Sequence, residues 1–415
     1  MLRLSKEFTR TDLSRFYTDL IKGKVNTMEN ENNINEYEAS QSVQQDRTEE
    51  TEVSEAPISG ENSSPVNTVD TMRSYKSDCF RFGLFLIFTL LLREIATGLS
   101  PLLLSFVEKL NIGSIEALYA ISLLYSALFC QILPSILAVF MLKYSFKNLC
   151  GGFKPPKQSK KAFANFPAMY GAGMTVNLIT MAVMSLILKK GDIGDSINST
   201  GLQPPTLASS FILFILTVII APVFEEFIFR GAVMNLLKPY GGGIAIFVSA
   251  FCFGIYHGNF QQFFYAFALG IVLGYIGYAT DSIFCTTLLH LMFNGVSGVL
   301  MILISTDAVK TRSLDPYAEL SDGESLVMTF YAIFMIIIIV TALVGFIALI
   351  NKLKKIKRYR IPKVWGEVSN GKKMAIMLLT LPVILAVLLM VDIMGFGIIG
   401  EKLAEAVSSA IGQNI

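Results

Sequence analysis

Glu225, Glu226 and Arg230 sit in APVFEEFIFRG, residues 221–231, inside one of the most apolar stretches of the chain. A charged side chain in hydrocarbon costs roughly 2.5–3.5 kcal/mol even on translocon-insertion scales, so it faces a partner or a water-filled cavity. Glu226 and Arg230 stand at i and i+4 in the favourable Glu-before-Arg order and can neutralise each other along one helical face. Glu225, turned about 100° away, has no local partner. Just upstream, Pro222 cannot donate to the carbonyl of Val218, a gap that a membrane helix tolerates where water or protein fills it. The chain holds only two histidines, His257 and His290, both inside later apolar segments. His257 ends Phe253-Gly-Ile-Tyr-His257, and His290 opens His290-Leu-Met-Phe-Asn294, whose i, i+4 spacing sets imidazole and amide on one face. A partnerless carboxyl with imidazoles beside it could take a proton from water and return it. Glu plus two His is also a zinc-ligand set, although HExxH is absent and the histidines lie on separate segments.

The elements that must carry these residues are membrane helices. Of 415 residues, 53% are hydrophobic and 16% charged, and the mean hydropathy of +0.56 lies far outside the range of soluble domains. The fold class expected is all-α, a polytopic transmembrane bundle of eight or nine spans. Apolar runs long enough for ~30 Å of hydrocarbon cover roughly 80–107, 117–142, 163–188, 207–237, 243–260, 262–279, 283–304, 325–350 and 374–398. The first contains Arg93, Glu94 and Pro101, so it is either a broken helix or one whose charged middle faces protein. Between the two histidine segments, Gly270, Gly274 and Gly277 allow neighbouring helices to approach closely. The five cysteines show neither a CxxC pair nor a secreted spacing and read as small core residues.

Domain boundaries follow composition. Residues 1–78 form a polar extension expected to be disordered and cytoplasmic, in which Leu13, Phe16, Tyr17, Leu20 and Ile21, beside Arg10, Arg15, Lys22 and Lys24, suit an amphipathic helix on an anionic membrane. Residues 79–400 form the transmembrane domain and 401–415 a tail. No signal peptide is apparent. Lys143, Lys147, Lys154, Lys157, Lys160 and Lys161 crowd one connection; Lys352, Lys354, Lys355, Lys357, Arg358, Arg360 and Lys363 crowd another. Both are expected in the cytoplasm, which with nine spans puts the amino terminus inside and the carboxyl terminus outside. At 1.5 Å per residue His257 would lie ~20 Å along its helix and His290 ~10 Å into its own. Tilt, a later start, or a break at Gly241-Gly242-Gly243 would level them.

EExxxR at Glu225-Glu226-Arg230, FxxxH at Phe253-His257 and HxxxN at His290-Asn294, in that order on successive membrane helices, resemble the signature of the type II CAAX prenyl protease and bacteriocin-processing family of intramembrane endopeptidases. The resemblance covers about residues 207–304 and all three motifs match. It implies a glutamate-dependent endopeptidase: Glu225 as general base on a water, His257 helping to hold that water, His290 and Asn294 donating to the oxyanion, and Glu226, Arg230 and Phe253 in support. It implies no cofactor, with a zinc-dependent version as the chemical alternative. The partners expected are the lipid bilayer and a membrane-associated polypeptide substrate, CAAX-like or leader-peptide, and no nucleic acid. The location expected is a bacterial plasma membrane. Two further alternatives remain open. The charged residues could be an ion-pair cluster joining helices in a non-catalytic scaffold or immunity protein, and buried carboxylates also occur in proton-coupled transporters, though no internal repeat supports that here.

Overall fold

Long apolar runs without strand-like alternation become helices because hydrocarbon leaves a backbone no other partner for its amides. In the computed structural model the described residues are 68–144, 163–164, 166–188, 204, 206–356, 368–393 and 398–412, and no strand occurs among them. The polar extension before residue 68, with its expected amphipathic helix, and most of both lysine-rich connections lie outside the described residues. The chain divides after Met72, and the packing described below belongs to the second unit. The helices are α1 (Thr68–Lys109), α2 (Ile115–Met141), α3 (Phe166–Leu188), α4 (Leu207–Tyr240), α5 (Gly242–Tyr256), α6 (Phe260–Thr280), α7 (Ile283–Ile304), α8 (Asp307–Leu314), α9 (Asp322–Ile356), α10 (Asn370–Leu378), α11 (Leu381–Val391) and α12 (Ile398–Gly412). The protein is an all-α polytopic bundle.

Among the described residues six helices are long and apolar enough to cross a membrane, or seven if the bent pair α10–α11 is one span. Three of the nine apolar runs are not among the six: 163–188, which forms the 23-residue α3, and two whose difference has a local cause. The run 243–260 yields a helix of 15 residues, about 22 Å long and short of ~30 Å of hydrocarbon. It is cut by Gly241 at φ +139° and Gly258 at φ +67°, conformations that favour glycine. The run 374–398 is broken at Leu379 and Thr380, before Pro382, and turns by 73°. The first run is one unbroken helix through Arg93 and Glu94, so its charged middle faces protein: Glu94 is buried, and Arg93 reaches the end of α5.

α2 and α4 each lose their regular register beside a proline. α2 is π-helical over Leu128–Ile132, directly before Leu133-Pro134. α4 is π-helical over Ile215–Ile220 and again over Phe227–Val233, with Ala221–Glu226 between them. The amide of Ala221 bonds five residues back to Leu216. In that register the next donor would be Pro222, which has none, so the carbonyl of Thr217 is left over. The buried core lies where α4, α5, α6 and α7 meet, with Phe82 and Phe85 of α1 and Met169 of α3 packed against it. The α6 glycines expected to permit close approach do so. A Cβ at Gly270 would stand 2.9 Å from the Ala250 Cα of α5, and one at Gly274 would stand 3.2 Å from Ile246.

Candidate active site

α4 carries the acids. Glu226 and Arg230 are both buried, and Arg230 Nη1 donates to Glu226 Oε1 at 2.8 Å, the pair expected from i, i+4 spacing. The guanidinium also donates to the Gly270 carbonyl at 3.3 Å and lies 4.5 Å over the Phe253 ring. These contacts need α6 close by, which its glycines provide. Glu226 has a second partner in His290 of α7, whose Nδ1 stands 3.0 Å from Oε1. Since a carboxylate accepts, Nδ1 carries the hydrogen, and Nε2 is the nitrogen turned to Glu225.

Glu225 has a different environment from its neighbour. Its side chain is 12% exposed, where that of Glu226 is 0%. Its nearest basic atom is His290 Nε2 at 3.7 Å, beyond hydrogen-bonding distance and open to a bridging water. No hydrogen bond to Glu225 is formed among the described residues. One acid is thus held by two fixed donors on a single oxygen, its buried Oε2 left unpartnered, while the other receives no donor among the described residues.

His257 closes α5 and folds back over its last turn, where Nδ1 lies 2.8 Å from the Phe253 carbonyl. Here too the acceptor fixes the hydrogen on Nδ1 and leaves the lone pair on Nε2. Both imidazoles meet the Phe253 ring edge-on, His257 at 5.0 Å and His290 at 5.4 Å between centroids. Phe253 therefore bridges the depth difference implied by counting residues along the helices. Asn294 is turned elsewhere: its Nδ2 donates to the Thr217 carbonyl at 2.9 Å, the acceptor that Pro222 leaves open. One of its two amide hydrogens is used to tie α7 to α4. The structure thus gathers Glu225, Glu226, Arg230, Phe253 and His290 around one point, joins His257 through Phe253, and sets Asn294 against the α4 backbone.

Arg93 of α1 is the residue that sequence reasoning passed over. Its guanidinium donates to the carbonyls of Tyr256 at 2.9 Å and His257 at 3.4 Å. Asn259 Nδ2 adds a bond to the His257 carbonyl at 3.3 Å. A cation on these last carbonyls suits the negative end of the α5 dipole. Gly258 is what admits it, since a Cβ there would collide with the guanidinium. The signal available was the charge itself, an arginine midway along an apolar span.

As for metal ligation, no three His, Cys, Asp or Glu side chains among the described residues converge closely enough to hold one ion.

The helices long and apolar enough to cross a membrane and the buried carboxyl–imidazole cluster define an integral membrane protein with an ionisable site inside its bundle. Residues 207–296, from the start of α4 into α7, match the family model of the Rce1-like type II CAAX prenyl endopeptidases, so this core is similar to that family. No curated protein and no solved structure matches the chain significantly.

Proposed function

We propose that the chain is a glutamate-dependent intramembrane endopeptidase that cleaves a membrane-associated polypeptide, CAAX-like or leader-peptide, with water as the nucleophile. The observation that carries this reading is the difference between adjacent acids: Glu226 Oε1 accepts from both Arg230 and His290, while Glu225 stands 3.7 Å from His290 Nε2 with no hydrogen bond among the described residues. Water between Glu225 and the imidazoles would give its proton to Glu225 as it attacks the scissile carbonyl, and the protonated acid would then return that proton to the leaving amine. His290 and His257, each with Nδ1 committed to a fixed acceptor, offer Nε2 lone pairs that orient the water. The remaining N–H of Asn294 is a donor for the developing oxyanion. Arg93 acts as a positioning residue, holding the turn from which His257 projects. The lysine-rich connections belong on the cytoplasmic side in this reading, with the amino terminus.

Removing a positioned general base costs about 10²–10⁴-fold in rate, so Glu225→Gln should abolish measurable turnover while the protein still folds. The check is to compare membranes holding the wild type or Glu225→Gln for uncut membrane-associated polypeptides. Identical polypeptide profiles, together with intact activity of purified Glu225→Gln, would remove the reading. A strong chelator decides the metal-dependent version: reversible loss of cleavage, restored by stoichiometric zinc, would replace direct water activation with metal-assisted hydrolysis.

A further inference from the structure

The polar hydrogens around Glu225 are mostly committed already. His290 spends its Nδ1 hydrogen on Glu226, His257 spends its own on the Phe253 carbonyl, and Asn294 spends one amide hydrogen on Thr217. A carbonyl attacked at this point would find a single N–H left among the expected donors, whereas a tetrahedral oxyanion is ordinarily held by at least two.

Tyr256 can supply the second. It lies on α5 one turn after Phe253, whose ring meets both imidazoles, and directly before His257. The ring packs edge-on against Phe229 at 5.2 Å, and Phe229 contacts Phe253 in turn at 5.5 Å. Arg93 fixes the Tyr256 backbone through its carbonyl. The hydroxyl itself is buried and makes no hydrogen bond among the described residues, and Cys130, Glu225 and Arg93 are the ionisable groups that act on it. A phenol taken out of water without a partner loses solvation and gains nothing in the resting protein. Buried tyrosine hydroxyls ordinarily find a partner, so this one is available to a group that arrives later.

We propose that Tyr256 is a catalytic residue whose hydroxyl donates to the oxygen of the scissile carbonyl. This rests on the reading of Glu225 as the base. As water loses its proton to Glu225 and bonds to the carbonyl carbon, the C=O π pair moves onto oxygen. The Tyr256 O–H and the free Asn294 N–H hold that charge. Collapse returns the pair to the C=O bond and expels the amine, which takes the proton from Glu225. Tyr256 donates a hydrogen bond throughout and transfers no proton.

The isosteric change Tyr256→Phe tests this, because it keeps the ring on Phe229 and deletes only the unpartnered oxygen. Expected are a fall in kcat of about 10²–10³-fold, KM within about twofold, and a melting temperature equal to or above that of the wild type in the same detergent. A peptide carrying a tetrahedral phosphinate should lose affinity by a similar factor, while an uncleaved ground-state peptide should not. An unchanged kcat overturns the proposal. So does a joint fall of kcat and melting temperature, which marks the hydroxyl as structural. Glu225→Gln is measured alongside: inactive Glu225→Gln with fully active Tyr256→Phe sinks this inference alone, whereas active Glu225→Gln sinks the proposed mechanism on which it rests.

Discussion

Arg230 holds the site's charges in order through one nitrogen on Glu226, another on the Gly270 carbonyl and a face over Phe253. Deleting one member of a buried pair leaves the other charge bare, at a cost of about 3–5 kcal/mol. Arg230→Met should therefore lower stability by that order in detergent unfolding. The double change Glu226→Met with Arg230→Met should recover much of the loss, since neither charge is stranded. Activity should not follow, because His290 Nδ1 has then lost the carboxylate that orients its ring. A double variant as unstable as the single one would show that the pair does not set the stability. At this scale the sequence was legible wherever two side chains are related by helical spacing, as Glu226 and Arg230 are. It marked Arg93 and Asn294 but not their partners: the acceptors of Arg93 are main-chain carbonyls that no residue pattern marks, and that of Asn294 exists only because of a change of helical register.

That register belongs to the elements. Pro222 and the π-helical stretch before it leave the Thr217 carbonyl without a helical donor, and Asn294 of α7 fills the place. Asn294→Leu should strand this carbonyl and cost about 1–3 kcal/mol. Pro222→Ala restores an N–H that in the i to i−5 register points at Thr217, so it should soften the effect of Asn294→Leu. Unfolding midpoints of the two single variants and the double variant form the cycle that checks it. Strict additivity would mean that the two residues do not serve one acceptor. Apolar runs announced most helices correctly, because any membrane segment must saturate its own backbone. They overstated α5, since the hydrophobic run continues through Gly258 and Asn259 although the helix cannot. They also concealed the bend between α10 and α11, because an apolar run reports composition and not direction.

Over the whole molecule, the family-matched core is only part of what builds the site. α1 lies outside residues 207–296, yet its Arg93 holds the turn of His257. α9 also lies outside and carries no site residue. It presents large apolar side chains outward on several faces, Leu326, Phe330, Ile336, Val340 and Leu343 among them, as a helix bathed in lipid does. Its main attachment is to α3. The two backbones cross at Gly171 and Gly345, so closely that a Cβ on either would collide with the other helix. Without a hydrophobic drive between helices in lipid, such small-residue crossings supply the packing that holds a helix in place. Gly345→Leu should push α9 off α3 and cost about 1–3 kcal/mol, the usual price of overpacking. Since α1 and α4–α7 keep their own contacts, kcat below the unfolding range should stay close to the wild-type value. Limited proteolysis of α9 together with turnover of a membrane peptide measures both halves. A variant that melts as the wild type does would mean that α9 does not depend on this crossing. One that loses turnover while the core remains folded would mean that α9 reaches the chemistry through α3 and α7, and that the active site extends mechanically beyond the helices that furnish its side chains.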